Sequence, residues 1–256
     1  MKPILDFSFI QIPTFYLVIS LSLSFVILLM NIELNDKPKI DRTMAFDLVL
    51  IIMVSGFLGG RLTHVFYEEF DFYKTFPLEV FKFWKGGFVY FGGFIAAFIC
   101  TVLYLRFKKE NFWAWADFLT PYASLSYAFG RVGCFFEGCC YGSFCEMPWS
   151  IGHRHPTQLY MVFAELFLIA LLVLLRKFKS HIFAHVGVFF LIWLVGHATC
   201  RFIIEFYRED DRGAMINGYS ISQWISALFV AAALTTLIFK LKKTTRLELT
   251  RKLYNH

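Results

Sequence analysis

Charge is what this chain has least of. Charged residues make up 17% of its 256 positions, against roughly 25% in soluble domains. Hydrophobic residues make up 58%, including 33 phenylalanines, so a soluble globular fold is excluded. There is no low-complexity tract and no polar linker, which excludes a string of separate domains; one transmembrane domain over residues 1–256 is expected. The paired C-x2-C of common zinc and thiol-oxidoreductase sites is missing as well. Acidic residues are fewer than basic ones, 19 against 25.

What is there in quantity is apolar sequence in runs near the roughly 20 residues that cross a bilayer. Seven spans are expected, at about 11–31, 45–66, 88–106, 113–132, 156–176, 184–207 and 219–240, in a single all-α bundle. The first run ends in MNIELND rather than at a small-residue cleavage site, so it is expected to stay in the membrane. Fifteen basic residues fall in segments 32–44, 106–112, 176–183 and 240–256, and seven in the N-terminus and opposite loops. By the positive-inside rule the N-terminus is outside and the basic C-terminal tail cytoplasmic. The net charge of +6 therefore reports topology and contact with anionic membrane lipids, and no nucleic-acid partner is expected.

Charged residues nonetheless lie within the spans, among them Arg61, Asp117, Arg131, Glu165, Arg201 and Glu205. A charge at the bilayer centre costs about 2.5–3.5 kcal/mol on insertion scales, so such residues are rare and mark function. Internal ion pairing is the plain alternative, since the formal charges of these six cancel. In HATCRFIIEFYR, however, His197, Arg201, Glu205 and Arg208 are spaced 4, 4 and 3, which stacks them on one helical face. By the derived orientation that stripe, Arg131, Arg61 with His64, and the HRHPTQLY segment all reach the outer side.

Two glycine-rich stretches lie at the same level, KGGFVYFGG at 85–93 and GRVGCFFEGCCYG at 130–142. Read as turns, Gly86, Gly87, Gly92 and Gly93 with Tyr90, and Gly133, Cys134, Glu137 and Gly142, let backbone amides approach a ligand. Beside three arginines whose planar forks suit phosphate, an outward anion pocket for a phospholipid headgroup is expected. Close helix packing is the alternative for the GG pairs.

These motifs resemble those of the bacterial prolipoprotein diacylglyceryl transferases. GRVGCFFEGCCYG is similar to that family's signature, KGGFVYFGG to its glycine loop, HPTQLY to its HPxQLYE motif and RFIIEFYRED to its RFxxEFxRxxD motif. GGRLTHVFY and the SQW at 222–224 resemble two further segments, in order along nearly the whole chain. The resemblance implies a multi-pass enzyme of the bacterial cytoplasmic (inner) membrane, with its site on the periplasmic side. It implies transfer of the diacylglyceryl group of phosphatidylglycerol to the lipobox cysteine in a prolipoprotein signal peptide, forming a thioether and releasing glycerol phosphate. It further implies Arg131 and Arg201 as a phosphate clamp, Glu205 orienting Arg201, and Gln158, Tyr160 and Tyr16 lining the pocket; Phe15 fits the Tyr16 position equally well.

The sequence departs from the family pattern where many members carry a loop histidine: Phe91 stands there, and it cannot accept a proton. His155 is the first candidate to replace that base, followed by His197, Glu205 and His64. No cofactor and no metal is expected, because C-x4-C-C-x4-C lacks usual zinc spacing. A disulfide from Cys139 or Cys140 to Cys145 is sterically open. Two rival functions remain, a catalytically silent lipid- or precursor-binding relative and an anionic-solute transporter.

Overall fold

The computed structural model describes residues 4–6, 11–178, 183, 185–210 and 215–254, with backbone alone at 4–6, 11–13, 85, 90 and 243–254. Among these, long helices overlap the expected apolar runs: α1 (Thr14–Asp36), α2 (Arg42–Thr63), α4 (Tyr90–Phe107), α5 (Phe112–Glu137), α6 (Thr157–Phe178), α7 (Val188–Ile204) and α8 (Ile221–Tyr254). A short α3 (Phe70–Thr75) and single helical turns fill the 64–85 connection. Five helical stretches are long and apolar enough to cross a membrane: 14–36, 42–68, 157–178, 188–207 and 221–242. The apolar helix at 91–107 is shorter. α5 has 26 residues but carries Asp117, Arg131 and Glu137 among its apolar positions.

The chain divides into two compact units, Met1–Met30 with Trp113–His256, and Asn31–Phe112. In the second unit, Asp41 caps α2 by accepting the Met44 N–H at 3.2 Å. α2 and α4 then pack glycine against glycine: a Cβ on Gly92 would lie 1.9 Å from Thr63 Oγ1, and one on Gly93 2.7 Å from the Gly56 carbonyl. Such close approach is how helices associate where lipid supplies no hydrophobic drive. Gly92 and Gly93 are thus helix-packing residues rather than part of a turn, correcting the expectation of a glycine turn through residue 93.

In the first unit α6 separates its faces in the manner lipid exposure requires. Phe163, Phe167, Leu171 and Leu174 are exposed, while Met161, Glu165 and Leu172 are each 1% exposed on the other side. α7 starts at Gly187, which has φ 91°. A Cβ there would come 2.8 Å from the Trp113 ring. Asp117, from α5, accepts the Gly187 N–H at 2.6 Å and the Phe190 N–H at 2.8 Å. This intramembrane carboxylate is therefore a helix cap, placed where the α7 dipole favours negative charge.

Two small hairpins interrupt the all-α expectation. β1 (Ile4–Asp6) pairs with β2 (Gln11–Pro13), and β3 (Met215–Ile216) with β4 (Tyr219–Ser220), both antiparallel. The second turns on Asn217 and Gly218, both at positive φ, the two-residue turn that Asn-Gly favours. It delivers Ser220 to the start of α8, where Ser220 Oγ accepts the Gln223 N–H at 3.2 Å and Gln223 Oε1 accepts the Ser220 N–H at 2.9 Å. This reciprocal pair is a capping box.

Candidate active site

In the first unit two arginines pair with one buried carboxylate, and the charge of a third, Arg131, acts on one of them. Glu205, 1% exposed, follows α7. It pairs with Arg201 Nη2 at 3.0 Å and Arg208 Nη1 at 3.2 Å, and its Oε1 accepts from Ser220 Oγ at 3.1 Å. Arg201 Nε donates to Ser222 Oγ at 3.0 Å. Arg208 also forks onto Asp210, with contacts of 2.9 and 2.6 Å. Helical spacing explains the Arg201–Glu205 pair, and the hairpin explains why Ser220 meets it.

Arg131 differs from the other two. Its Nη2 donates to the Tyr127 hydroxyl, one turn earlier on α5, at 2.8 Å, and its guanidinium stacks 4.9 Å from the Tyr127 ring centre. No carboxylate pairs with it among the described residues. The charges of Arg131 and Arg208 act on Arg201, opposed by Glu205. Among the described residues Glu205 pairs with Arg201 and Arg208, and Asp210 with Arg208, whereas Arg131 meets only a phenol. Most donors on Arg131 remain open to a ligand, since guanidinium carries five.

The same tyrosine leads to a histidine. Tyr127 packs edge-on against His197 at 4.7 Å. His197 Nδ1 is held by Glu165, which also accepts from Ser124 Oγ at 2.6 Å and Trp193 Nε1 at 3.2 Å. His155 lies in a different cluster: its Nδ1 meets the Tyr160 hydroxyl at 2.9 Å, and its ring packs on Tyr207 at 5.1 Å. His155 lines a pocket of about 220 Å³ together with Arg154, Gln158, Phe135 and Tyr141; Arg131 and Arg201 do not line it.

The loop after α5 is fixed from both ends. Gly142 sits where any Cβ would lie 2.6 Å from the Tyr207 carbonyl and 2.7 Å from the His155 carbonyl, so only glycine fits the loop's shape there. Gln158, 2% exposed, donates to the Cys139 carbonyl, and Thr157 Oγ1 to the Cys140 carbonyl at 2.6 Å. Glu137 is exposed at the end of α5. All six cysteines are free, so neither Cys139 nor Cys140 is bonded to Cys145, whose sulfur instead accepts the Met147 N–H at 3.4 Å. Cys134, Cys139 and Cys140 cluster. Hydrogen bonds from Cys134 and Cys139, with Arg208 and Arg131 charges adding, hold the Cys140 thiol far below its usual value, while the same hydrogen bonding pushes Cys139 up.

Other expected residues fall differently. Phe15, not Tyr16, lies over Gly133, its ring 3.1 Å from where a Cβ would stand; Tyr16 is 49% exposed. In the second unit Arg61, 6% exposed, donates to the carbonyls of Val80, Gly86, Gly87 and Glu79 at 3.0, 2.5, 3.1 and 2.8 Å. One N–H of its five is left, so Arg61 is the clamp of the turn made by Gly86 and Gly87, which have φ 85° and 80°. His64 pairs with Glu68 at 2.6 Å. The Tyr90 side chain lies outside the described residues. Sequence reasoning missed Tyr127 and Ser222 as partners of the arginines and Ser220 as a partner of Glu205; the S-x-x-Q spacing after Asn-Gly was the available signal for the two serines.

A family model described as prolipoprotein diacylglyceryl transferase matches residues 3–239. Similar curated proteins bear the name phosphatidylglycerol–prolipoprotein diacylglyceryl transferase. That of Dechloromonas aromatica is 34% identical, covering 77% of this chain and 78% of the relative. That of Nitrosomonas europaea is 32% identical over 85% and 81%, and that of Bordetella parapertussis 31% over 78% and 79%.

Proposed function

The chain belongs to the prolipoprotein diacylglyceryl transferase family, and from that premise we propose how its own residues carry the reaction. It transfers the diacylglyceryl group of phosphatidylglycerol to a prolipoprotein, in lipoprotein maturation. The acceptor is the lipobox cysteine: its thiol loses a proton, the sulfur forms a bond to the glyceryl carbon, and that carbon's bond to the phosphate oxygen breaks. A thioether forms and glycerol phosphate departs with the negative charge.

One observation carries this reading: Arg131 holds a guanidinium with no carboxylate partner among the described residues, beside Arg201, which Glu205 and Ser222 fix in place. Preorganised donors aimed at developing charge are the largest common source of catalysis. Arg131 and Arg201 clamp the phosphate, Glu205 positions Arg201 and Arg208, and Gln158 and Gly142 hold the loop beside them.

The base is His197. A base oriented by a third group is the recurring arrangement for activating a nucleophile, and Glu165 holds Nδ1 of His197, leaving Nε2 free of protein partners among the described residues. Tyr127 bridges His197 to Arg131. His155, expected first, has only a phenol on its Nδ1.

The chain is a multi-pass membrane protein with several apolar helices. Its finer topology is proposed as seven spans, N-terminus outside and C-terminus cytoplasmic, with the site towards the outer side of the bacterial inner membrane. Against the transporter reading, the intramembrane Asp117 is taken up as the cap of α7. Incubating the purified protein with phosphatidylglycerol and a lipobox peptide tests the proposal by mass spectrometry. A diacylglyceryl mass increase on the cysteine is expected. Peptide or lipid binding without that increase returns the silent relative, and neither binding nor increase returns the transporter.

A further inference from the structure

The loop that closes α5 gathers thiols that the transfer reaction does not need. The sulfurs of Cys134, Cys139 and Cys140 all lie within 4.8 Å of one another. The chain reaches this geometry by a local device. Gly138, at φ 80°, ends the helix, and the N–H groups of Gly138 and Cys139 both return to the Cys134 carbonyl, at 3.0 and 3.2 Å. Cys140 takes φ 59°, a left-handed backbone that is uncommon outside glycine, and this brings its thiol back towards the other two. Thr157 and Gln158 pin the Cys139 and Cys140 carbonyls from α6. The three thiols are therefore preorganised, although a spacing of C-x4-C-C does not announce them.

We propose that Cys134, Cys139 and Cys140 form a binding site for one thiophilic closed-shell metal ion. Metal–thiolate bonds of about 2.3 Å put three sulfurs around one ion about 4 Å apart, a separation this cluster accommodates. Soft thiolates select copper(I) and zinc(II). Three sulfurs, with no fourth histidine, cysteine or carboxylate in the group among the described residues, suit trigonal copper(I), and zinc(II) fits with one water completing its tetrahedron. With all three sulfurs bound as thiolates, their protons released to solvent wherever the free thiol still carries one, the site has a net charge of −2 for copper(I) or −1 for zinc(II). The charges of Arg131 and Arg208, which act on Cys140, offset it. A disulfide between two of the three would leave the third without a role.

The inference does not rest on the transferase reading, and its test uses no substrate. The reduced, detergent-purified full chain is titrated anaerobically with copper(I), and separately with zinc(II), each against a chromophoric chelator. One equivalent is expected, with a thiolate-to-copper absorption band in the copper arm and sulfur neighbours at about 2.3 Å by X-ray absorption. Uptake in the zinc arm alone assigns zinc. The bound ion should protect Cys134, Cys139 and Cys140, but not Cys100 or Cys200, from alkylation mapped by mass spectrometry, which needs no variant. Cys140→Ser should weaken affinity at least tenfold, whereas Cys200→Ser should not. Absence of stoichiometric uptake by the reduced protein, equal protection of all six cysteines, or a disulfide within the trio that persists in place of metal would overturn the proposal.

Discussion

Replacing Arg131 with glutamine separates catalysis from stability more sharply than any other change in this site. The side chain makes one hydrogen bond, to the Tyr127 hydroxyl at 2.8 Å, and one cation–π contact. Losing them costs about 1–2 kcal/mol of stability. The Arg131 charge is repelled by Arg201 but attracted by Cys134 and Cys140, so the longer-range electrostatics pull both ways. The net change in stability should therefore stay at about 1–2 kcal/mol, a shift of about 2–8 °C in a chain of this size. Activity should respond quite differently. Removing one preorganised donor to a developing anion costs about 10²–10³ in kcat, about 3–4 kcal/mol. Steady-state transfer to a lipobox peptide and thermal unfolding in detergent measure the two effects on one preparation. Arg201→Gln supplies the contrast: it breaks the ion pair with the buried Glu205, so it should lower both activity and melting temperature. If Arg131→Gln keeps its rate within threefold of the parent, or loses as much thermal stability as Arg201→Gln, the phosphate-clamp argument is wrong.

Four further changes probe other parts of the protein. His197→Gln should slow transfer by about 10²-fold or more while His155→Gln stays within a few-fold; the reverse order in the same assay restores His155 as the base. Ser220→Ala removes both the α8 cap and a hydrogen bond to Glu205, and should cost about 1–2 kcal/mol in detergent unfolding together with a measurable fall in transfer rate. Gly187→Ala meets both a positive φ and the Trp113 ring 2.8 Å away, so about 1–3 kcal/mol of destabilisation is expected, and an unchanged melting temperature would contradict it.

Local pattern made several of these features legible in advance. The spacing of Arg201, Glu205 and Arg208 already put them on one helical face, and the fold keeps Glu205 bonded to both arginines. Gly142 could be expected to shape its loop, and the carbonyls crowding it supply the reason. Gly92 and Gly93 were ambiguous because GG serves both tight turns and helix contacts, and only the approach of α2 decides between them. Arg61 was misleading for a related reason. An arginine near a membrane surface looks like a ligand for anions until its donors are traced to four backbone carbonyls, a long-range fact with no local signature.

By itself the amino-acid order determined that this protein lives in a bilayer, where its helices lie, and which polar residues had to be accounted for, because hydropathy and helical period are properties of contiguous residues. Tertiary structure alone decided what each buried charge does. Asp117 caps a helix 70 residues away, Glu165 holds His197, and Arg131 is left with a phenol. Partnership in a medium without water depends on which elements meet, and three cysteines separated by a helix end become one cluster only when the chain turns back on itself.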